Sequence, residues 1–308
     1  NISLILILCL LLGACKNGNA SSQSKSETPQ DTIKAIKMPA IPQMMTAPEQ
    51  RADFLAKHYW DNVNFADTNY IHHPEVTEQA WADYCDLLNH VPLETAQQAM
   101  RNVIDRTNVD KKVFTYITDL ADKYLYDPNS PMRNEEFYIP VLEAMIASPV
   151  LNETEKIRPQ ARLKLAQKNR IGTKALNFTY TLASGAQGSL YQLKAEYLLL
   201  FINNPGCQAC TETIEGLKNA PIINQLLQEK KLVLLSIYPD EELDEWKKHL
   251  SEFPNEWING YDKKFTIKEE QVYDLKAIPT LYLLDKDKTV LLKDATAPAI
   301  EAYLMQHQ

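Results

Sequence analysis

The sequence predicts two domains, an all-α domain followed by an α/β domain. A chain of 308 residues is about twice the usual length of one domain. From about Pro48 to Arg170, apolar residues recur at three- and four-residue spacing with no credible strand. After that point short continuous apolar runs alternate with helical segments, the pattern of a sheet layered with helices.

Hydrophobic residues make up 45% of the chain and charged ones 23%, an ordinary balance for globular protein with a substantial core. With 32 basic and 40 acidic residues the net charge is −8, so no basic field draws phosphate backbones, which argues against nucleic acid as a partner. The apolar run Ile2 to Leu12 is too short for a helix across a bilayer core of roughly 30 Å, and it has the length of a signal-peptide apolar region. It leads into Leu12-Gly13-Ala14-Cys15, which resembles a bacterial lipobox. That resemblance implies a signal peptide over residues 1–14 and a lipid on Cys15, the first mature residue. No initiator Met or basic segment precedes the run, so the natural sequence is expected to begin a few residues earlier. The polar stretch after Cys15 and the Pro- and Met-dotted "MPAIPQMMTAP" read as a tether and extended lead-in over 15–47. Acyl chains hold a protein to a membrane surface without spanning it. The chain is therefore expected in the cell envelope. The absence of acidic residues directly after Cys15 favours the periplasm-facing side of an outer membrane.

Residues 48–170 are expected to fold as six helices: "PEQRADFLAKHYWDNV", "TEQAWADYCDLLNHV", "LETAQQAMRNVIDRT", "KVFTYITDLADKYLY", "NEEFYIPVLEAMIAS" and "NETEKIRPQARLKLAQKN". Cys85 shares a helical face with Trp81, Tyr84 and Leu88, which reads as a core thiol; a third redox partner is the sharper alternative. Tyr59 and Trp60 read as core. Adjacent His72 and His73 diverge and have no patterned partner, so they read as a surface loop and not a metal site.

Residues 171–308 carry the strands. "LNFTYTL" alternates, "EYLLLFIN" and "KLVLLSIYP" are continuous apolar runs, and "TLYLLD" with "TVLLKD" forms a hairpin around Lys286-Asp287-Lys288. Helical segments lie between and after them: "CQACTETIEGLKNAPIINQLLQEK", "DEELDEWKKHLSEF", "TIKEEQVYDL" and "APAIEAYLMQH".

Cys207 sits where the run "YLLLFINN" gives way to a helix through a Pro205-Gly206 turn. The free N–H groups and the positive end of the helix dipole at such a position stabilise a thiolate. Three-residue spacing puts Cys210 on the same helical turn, so it can attack a mixed disulfide formed at Cys207. Two other readings stand beside a redox couple. A zinc site needs two more soft ligands, and no second Cys or Cys/His pair is patterned, so no metal is expected. Two inert buried thiols need nothing further.

About seventy residues on, "AIPTLYLLD" supplies a second signal. Together with "CQAC" it resembles the thioredoxin superfamily, in which an Ile-Pro-Thr segment holds a cis-proline beside the cysteine pair. The resemblance implies that Pro279 is that cis-proline and that the backbone of Ile278 pairs with a substrate segment. The long stretch between the motifs resembles the TlpA/ResA-like branch of extracytoplasmic thiol-disulfide oxidoreductases. The helical half, in "AKHYWDNVNFADTNYIHHPEV", is similar to a domain of unknown function that precedes such folds in lipoproteins of Gram-negative anaerobes. There are departures. Gly206 and Ala209 stand where the family often has Trp and Pro, and Phe201 stands where classical thioredoxins carry a buried acid. Glu212 or Glu215 are the nearest substitutes for it, although first-turn Glu is more often dipole-complementary surface.

The expected function is thiol–disulfide exchange with protein thiols or disulfides outside the cytoplasm. Catalysis falls to Cys207 and Cys210, with reduction favoured and electrons supplied by a membrane thiol carrier. No cofactor is expected beyond the Cys207–Cys210 disulfide itself. The alternative is a lipoprotein binding module that uses the thioredoxin fold as a scaffold, since fold does not fix function. A peroxidase is disfavoured because Asn204 stands where such enzymes place a Thr.

Overall fold

The computed structural model describes residues 35–307; the expected signal peptide and the expected lipidation site, Cys15, lie outside them. The helical domain holds α1 (Pro48–His58), α2 (Pro74–Leu88), α3 (Leu93–Arg106), α4 (Lys111–Ala121), α5 (Glu135–Ala147) and α6 (Glu153–Ala166). Each starts where local chemistry allows. Proline opens α1 and α2, where its missing N–H costs nothing. The Asp110 carboxylate accepts from the backbone N–H groups of Lys112 and Val113 at the head of α4. Asn152 and Glu155 form a reciprocal capping box at α6. One departure from regularity is a π-helical turn, Asp122–Tyr126, that continues α4.

The core of this domain is aromatic. Trp60, Trp81 and Tyr84 are buried together, with Trp60 edge-on to Tyr84 at 5.5 Å between ring centroids. Cys85 is buried among them as a core thiol, and burial pushes it up to about 12.

The second domain is built on one seven-stranded sheet. Its strands are β1 (Thr179–Leu182), β2 (Gln187–Ser189), β3 (Tyr197–Ile202), β4 (Leu232–Tyr238), β5 (Ile258–Tyr261), β6 (Thr280–Asp285) and β7 (Val290–Lys293), in the spatial order β2-β1-β5-β4-β3-β6-β7. The central β3 runs parallel to β4, and β4 parallel to β5, whereas β6 and β1 run antiparallel to their neighbours. The helices are α7 (Gln208–Lys218), α8 (Pro221–Gln228), α9 (Leu243–His249), α10 (Thr266–Glu269) and α11 (Ala297–Gln306).

Alternation along β3 divides its side chains between two cores. Leu199 and Phe201 pack with residues of α7, α8 and α11, while Leu198, Leu200 and Ile202 pack with Phe178, Tyr273 and Tyr282.

Three differences from the sequence expectation have simple causes. The segment "TIKEEQVYDL" is helical only over α10, Thr266–Glu269, because Gln271 at φ +50° leaves the right-handed helical region. The segment "CQACTETIEGLKNAPIINQLLQEK" is two helices, because Pro221 cannot continue α7 and instead opens α8. Strands β2 and β5 lack the apolar patterning of the others: β2 reads Gln-Gly-Ser and β5 includes Asn259-Gly260. They are held by pairing with β1 and β4. At Gly260 a Cβ would stand 2.9 Å from the Tyr180 ring, so glycine is what lets that ring cover β5. Leu200→Ala, in the buried centre of β3, is expected to destabilise the fold by about 2–5 kcal/mol, read as a lower midpoint in denaturant unfolding.

Candidate active site

After β3 ends at Ile202, the chain turns through Pro205-Gly206. Gly206 takes φ +72°, a conformation with low cost only for glycine, which accounts for Gly206 where related folds carry Trp. The turn delivers Cys207 as the N-cap of α7. Its sulfur accepts the backbone N–H of Cys210 at 3.4 Å and lies 3.8 Å from the carbonyl oxygen of Ile278. The Ile278–Pro279 peptide is cis. Thr280 then enters β6 directly opposite Ile202, so the loop that carries Pro279 ends beside the same strand end that launches Cys207. Cys207, Cys210, Ile278 and Pro279 thus come together at the carboxyl ends of the parallel strands, where α/β sheets place their sites.

The two sulfurs have different surroundings. Cys207 is partly exposed, and Cys210 is buried in the first turn of α7. Burial pushes the Cys210 thiol up to about 12; the Asn204 N–H, which donates to its sulfur at 3.5 Å, works against this, and neighbouring Cys207 adds to it. Among the described residues, Cys85, Cys207 and Cys210 are free thiols, and Cys85 belongs to the core of the other domain.

Phe201 is buried and meets Trp257 edge-on at 6.3 Å, so the position of the classical acid is part of the apolar core. Glu212 and Glu215 do not replace it. Both lie on the exposed side of α7, Glu212 accepting from the Gln208 amide at 2.9 Å and Glu215 paired with Lys218 at 2.8 Å.

Asp240 is the residue that sequence reasoning missed. It accepts from the Asn204 side-chain amide at 2.9 Å and pairs with Lys268 at 2.8 Å. Burial raises its carboxyl, but Lys268 and the Asn204 amide outweigh this and hold it below the usual range. These groups line a cleft of about 450 Å³ with Pro205 and Tyr238. The available signal was position: Asp240 follows the carboxyl end of β4 just as Cys207 follows that of β3.

Among the described residues, no group of three or more His, Cys, Asp and Glu is placed to hold a metal, and no helix is long and apolar enough to cross a membrane. A thiol reacts with alkylating agents as its thiolate. At pH 8 the folded chain should therefore be labelled by iodoacetamide at Cys207. Labelling at Cys210 should be about a thousandfold slower than in the unfolded chain, rising about tenfold per pH unit towards pH 12. Peptide mass mapping against pH checks both.

Residues 14–169 match the domain of unknown function DUF5106, and residues 195–290 match a thioredoxin-like domain. No curated protein matches the chain. Among solved structures, a thioredoxin-like protein from Bacteroides caccae is 84% identical, with 90% of this chain and 100% of that one covered and a TM-score of 0.88. The C-terminal domain of an uncharacterized protein from Bacteroides fragilis is 69% identical over 44% of this chain and 98% of its own, with a TM-score of 0.44. The thioredoxin domain of a thiol-disulfide oxidoreductase from Bacteroides vulgatus is 20% identical over 45% and 97%, with a TM-score of 0.41. The chain belongs to the thioredoxin-like proteins in which a DUF5106 domain precedes the thioredoxin-like fold.

Proposed function

We propose that the chain is a membrane-tethered thiol-disulfide oxidoreductase that acts on protein disulfides outside the cytoplasm, with reduction its favoured direction. The observation that carries this reading is the pairing of a partly exposed sulfur at a helix N-cap with a buried thiol one turn behind it, beside the Ile278–Pro279 loop. An inert pair would need neither the exposure nor the donors.

In the reductive direction the Cys207 thiolate attacks one sulfur of a substrate disulfide. A bond forms between Cys207 and that sulfur, the substrate disulfide breaks, and the second substrate sulfur leaves as a thiolate that takes up a proton. The thiolate of Cys210 then attacks the Cys207 sulfur and releases the first substrate sulfur. Two electrons pass to the substrate, which gains two protons, and the chain is left with a Cys207–Cys210 disulfide. A membrane dithiol carrier restores it by the same exchange and is itself oxidised. With Phe201 in place of an acid, deprotonation of Cys210 falls to water or to the departing substrate thiolate. The N–H of Cys210 accompanies the first step, since a hydrogen bond to an anionic sulfur is stronger than one to a neutral thiol. The partly buried backbone of Ile278, beside the Cys207 sulfur, would offer an extended substrate segment main-chain hydrogen bonds.

The tether rests on the sequence around Cys15. Cys15→Ala should move the protein from the membrane pellet to the soluble fraction; retention in the pellet would remove the lipid anchor from the reading.

Cys207→Ser should reduce turnover of a disulfide-bonded protein to the uncatalysed rate, and Cys210→Ser should accumulate a mixed disulfide through Cys207, visible by mass. The midpoint potential, measured by equilibration in graded thiol buffers, sets the direction. A value near thioredoxin's, about −270 mV, supports reduction, and one near −120 mV supports oxidation. If no reversible pair forms at any poise, a non-catalytic binding module takes its place.

A further inference from the structure

One place where the two domains meet is the start of α5, and the contact there is ionic. Glu135, the first residue of α5, places its carboxylate 3.3 Å from the Lys276 ammonium and also pairs with Lys293. Lys276 stands two residues before Ile278, and its ammonium meets Asp274 at 2.7 Å and Asp294 at 3.6 Å as well. On the other flank, Thr280 follows Pro279 directly and donates its hydroxyl to Asp294 at 2.7 Å. Arg133, just ahead of α5, donates to the main-chain carbonyl of that same Asp294 at 2.8 Å.

Both ends of the Ile278–Pro279 loop are thereby held from the helical domain. Lys276 is held through Glu135, and Thr280 through Asp294 and Arg133. The contacts are sheltered from water: the Glu135 side chain is 13% exposed, Lys276 and Asp294 are each 11%, and Lys293 is 6%. Burial works against the Lys276 charge, but Asp294, Glu135 and Asp274 overcome it and raise its pKa, so it stays an ammonium. Such pairs are screened little by salt, and removing one partner leaves the other a buried charge without compensation. A cavity of about 210 Å³ beside the cluster, lined by Tyr126, Arg133, Glu135, Lys276 and Asp294, means that these polar contacts and not continuous apolar packing brace the loop here.

We propose that Glu135 and Arg133 are positioning residues for the Ile278–Pro279 loop, so that the DUF5106 domain sets the affinity of the neighbouring site for a disulfide-bearing segment. The inference rests on the thiol–disulfide exchange reading of Cys207. Its physical basis is the 3.8 Å contact between the Cys207 sulfur and the Ile278 carbonyl, because a substrate strand aligned on that backbone presents its sulfur correctly only if the loop holds its place.

The test compares the full chain with Glu135→Gln and with Arg133→Ala, the milder change because Arg133 lies at the rim with a side chain 20% exposed. Two readouts are used. The first is amide hydrogen exchange over 275–282. The second is single-turnover reduction of a synthetic disulfide-bonded peptide by the dithiol chain, analysed for half-saturating concentration and limiting rate. We expect loop amides to exchange about tenfold faster in both variants. The half-saturating concentration should rise about tenfold with the limiting rate within about twofold, since the sulfur chemistry is untouched. Unchanged alkylation of Cys207 by iodoacetamide would accompany this. Unchanged loop exchange, or a fall in limiting rate with no change in half-saturation, overturns the proposal. If the unsubstituted chain reduces no peptide, the exchange reading fails by itself, and loop amide exchange still decides whether the helical domain holds the loop.

Discussion

Strand β3 is bonded along its whole length to β4 on one side and β6 on the other, and both its faces are buried. A slip of one residue would turn Leu199 and Phe201 away from the helices and bring Leu198 and Leu200 into their place. The register is therefore locked, and with it the point at which the strand releases the chain into the Pro205-Gly206 turn. That point decides where Cys207 stands. The same register decides where the second half of the site stands, because β6 pairs Thr280 with Ile202 and so brings Pro279 to the end of β3. One strand joins two motifs about seventy residues apart.

Within the candidate site, burial gives chemically identical side chains different surroundings. Cys207 is partly exposed at the end of the turn, whereas Cys210 is buried in the first turn of the helix behind it. With Phe201 packed on Trp257, no buried carboxylate occupies the position from which a classical thioredoxin assists its second cysteine. The chain instead keeps its polar groups at the rim, in the Asn204–Asp240–Lys268 series at the end of β4. In the proposed exchange, a site so arranged would leave proton movement to solvent and substrate while keeping the thiols in a fixed relation to the backbone.

The join between domains follows from the cost of burying charge. Glu135, Lys276, Lys293, Asp274 and Asp294 are all nearly removed from water, and each has an opposite charge within reach. Hydrogen bonds to main-chain carbonyls add to this: the Asn169 amide donates to the Val272 carbonyl at 2.8 Å, and the Lys293 ammonium donates to the Lys168 carbonyl at 2.8 Å, near the end of α6. A buried ion pair adds little net stability, but leaving one partner alone is costly, which favours the domain placement that keeps these charges paired.

The six helices of the first domain were legible because three- and four-residue apolar spacing is a local property that one packed face demands. The strands β3, β4, β6 and β7 were legible as continuous runs, and Cys207, Cys210 and Pro279 as motifs in a set order. Strands β2 and β5 were not, since their partners supply the hydrogen bonds and their side chains carry no pattern. Nor were Asp240 and Glu135, which sit among other charges like any solvated surface, nor Lys276, a charge between apolar neighbours with nothing local to mark its distant partners. The sequence by itself determined the six helices of the first domain, the apolar strands of the second, and which two cysteines and which proline are candidates for the site. Only the tertiary structure decided which charges leave water and what faces them, because pairing between residues more than a hundred positions apart exists only once both domains are folded.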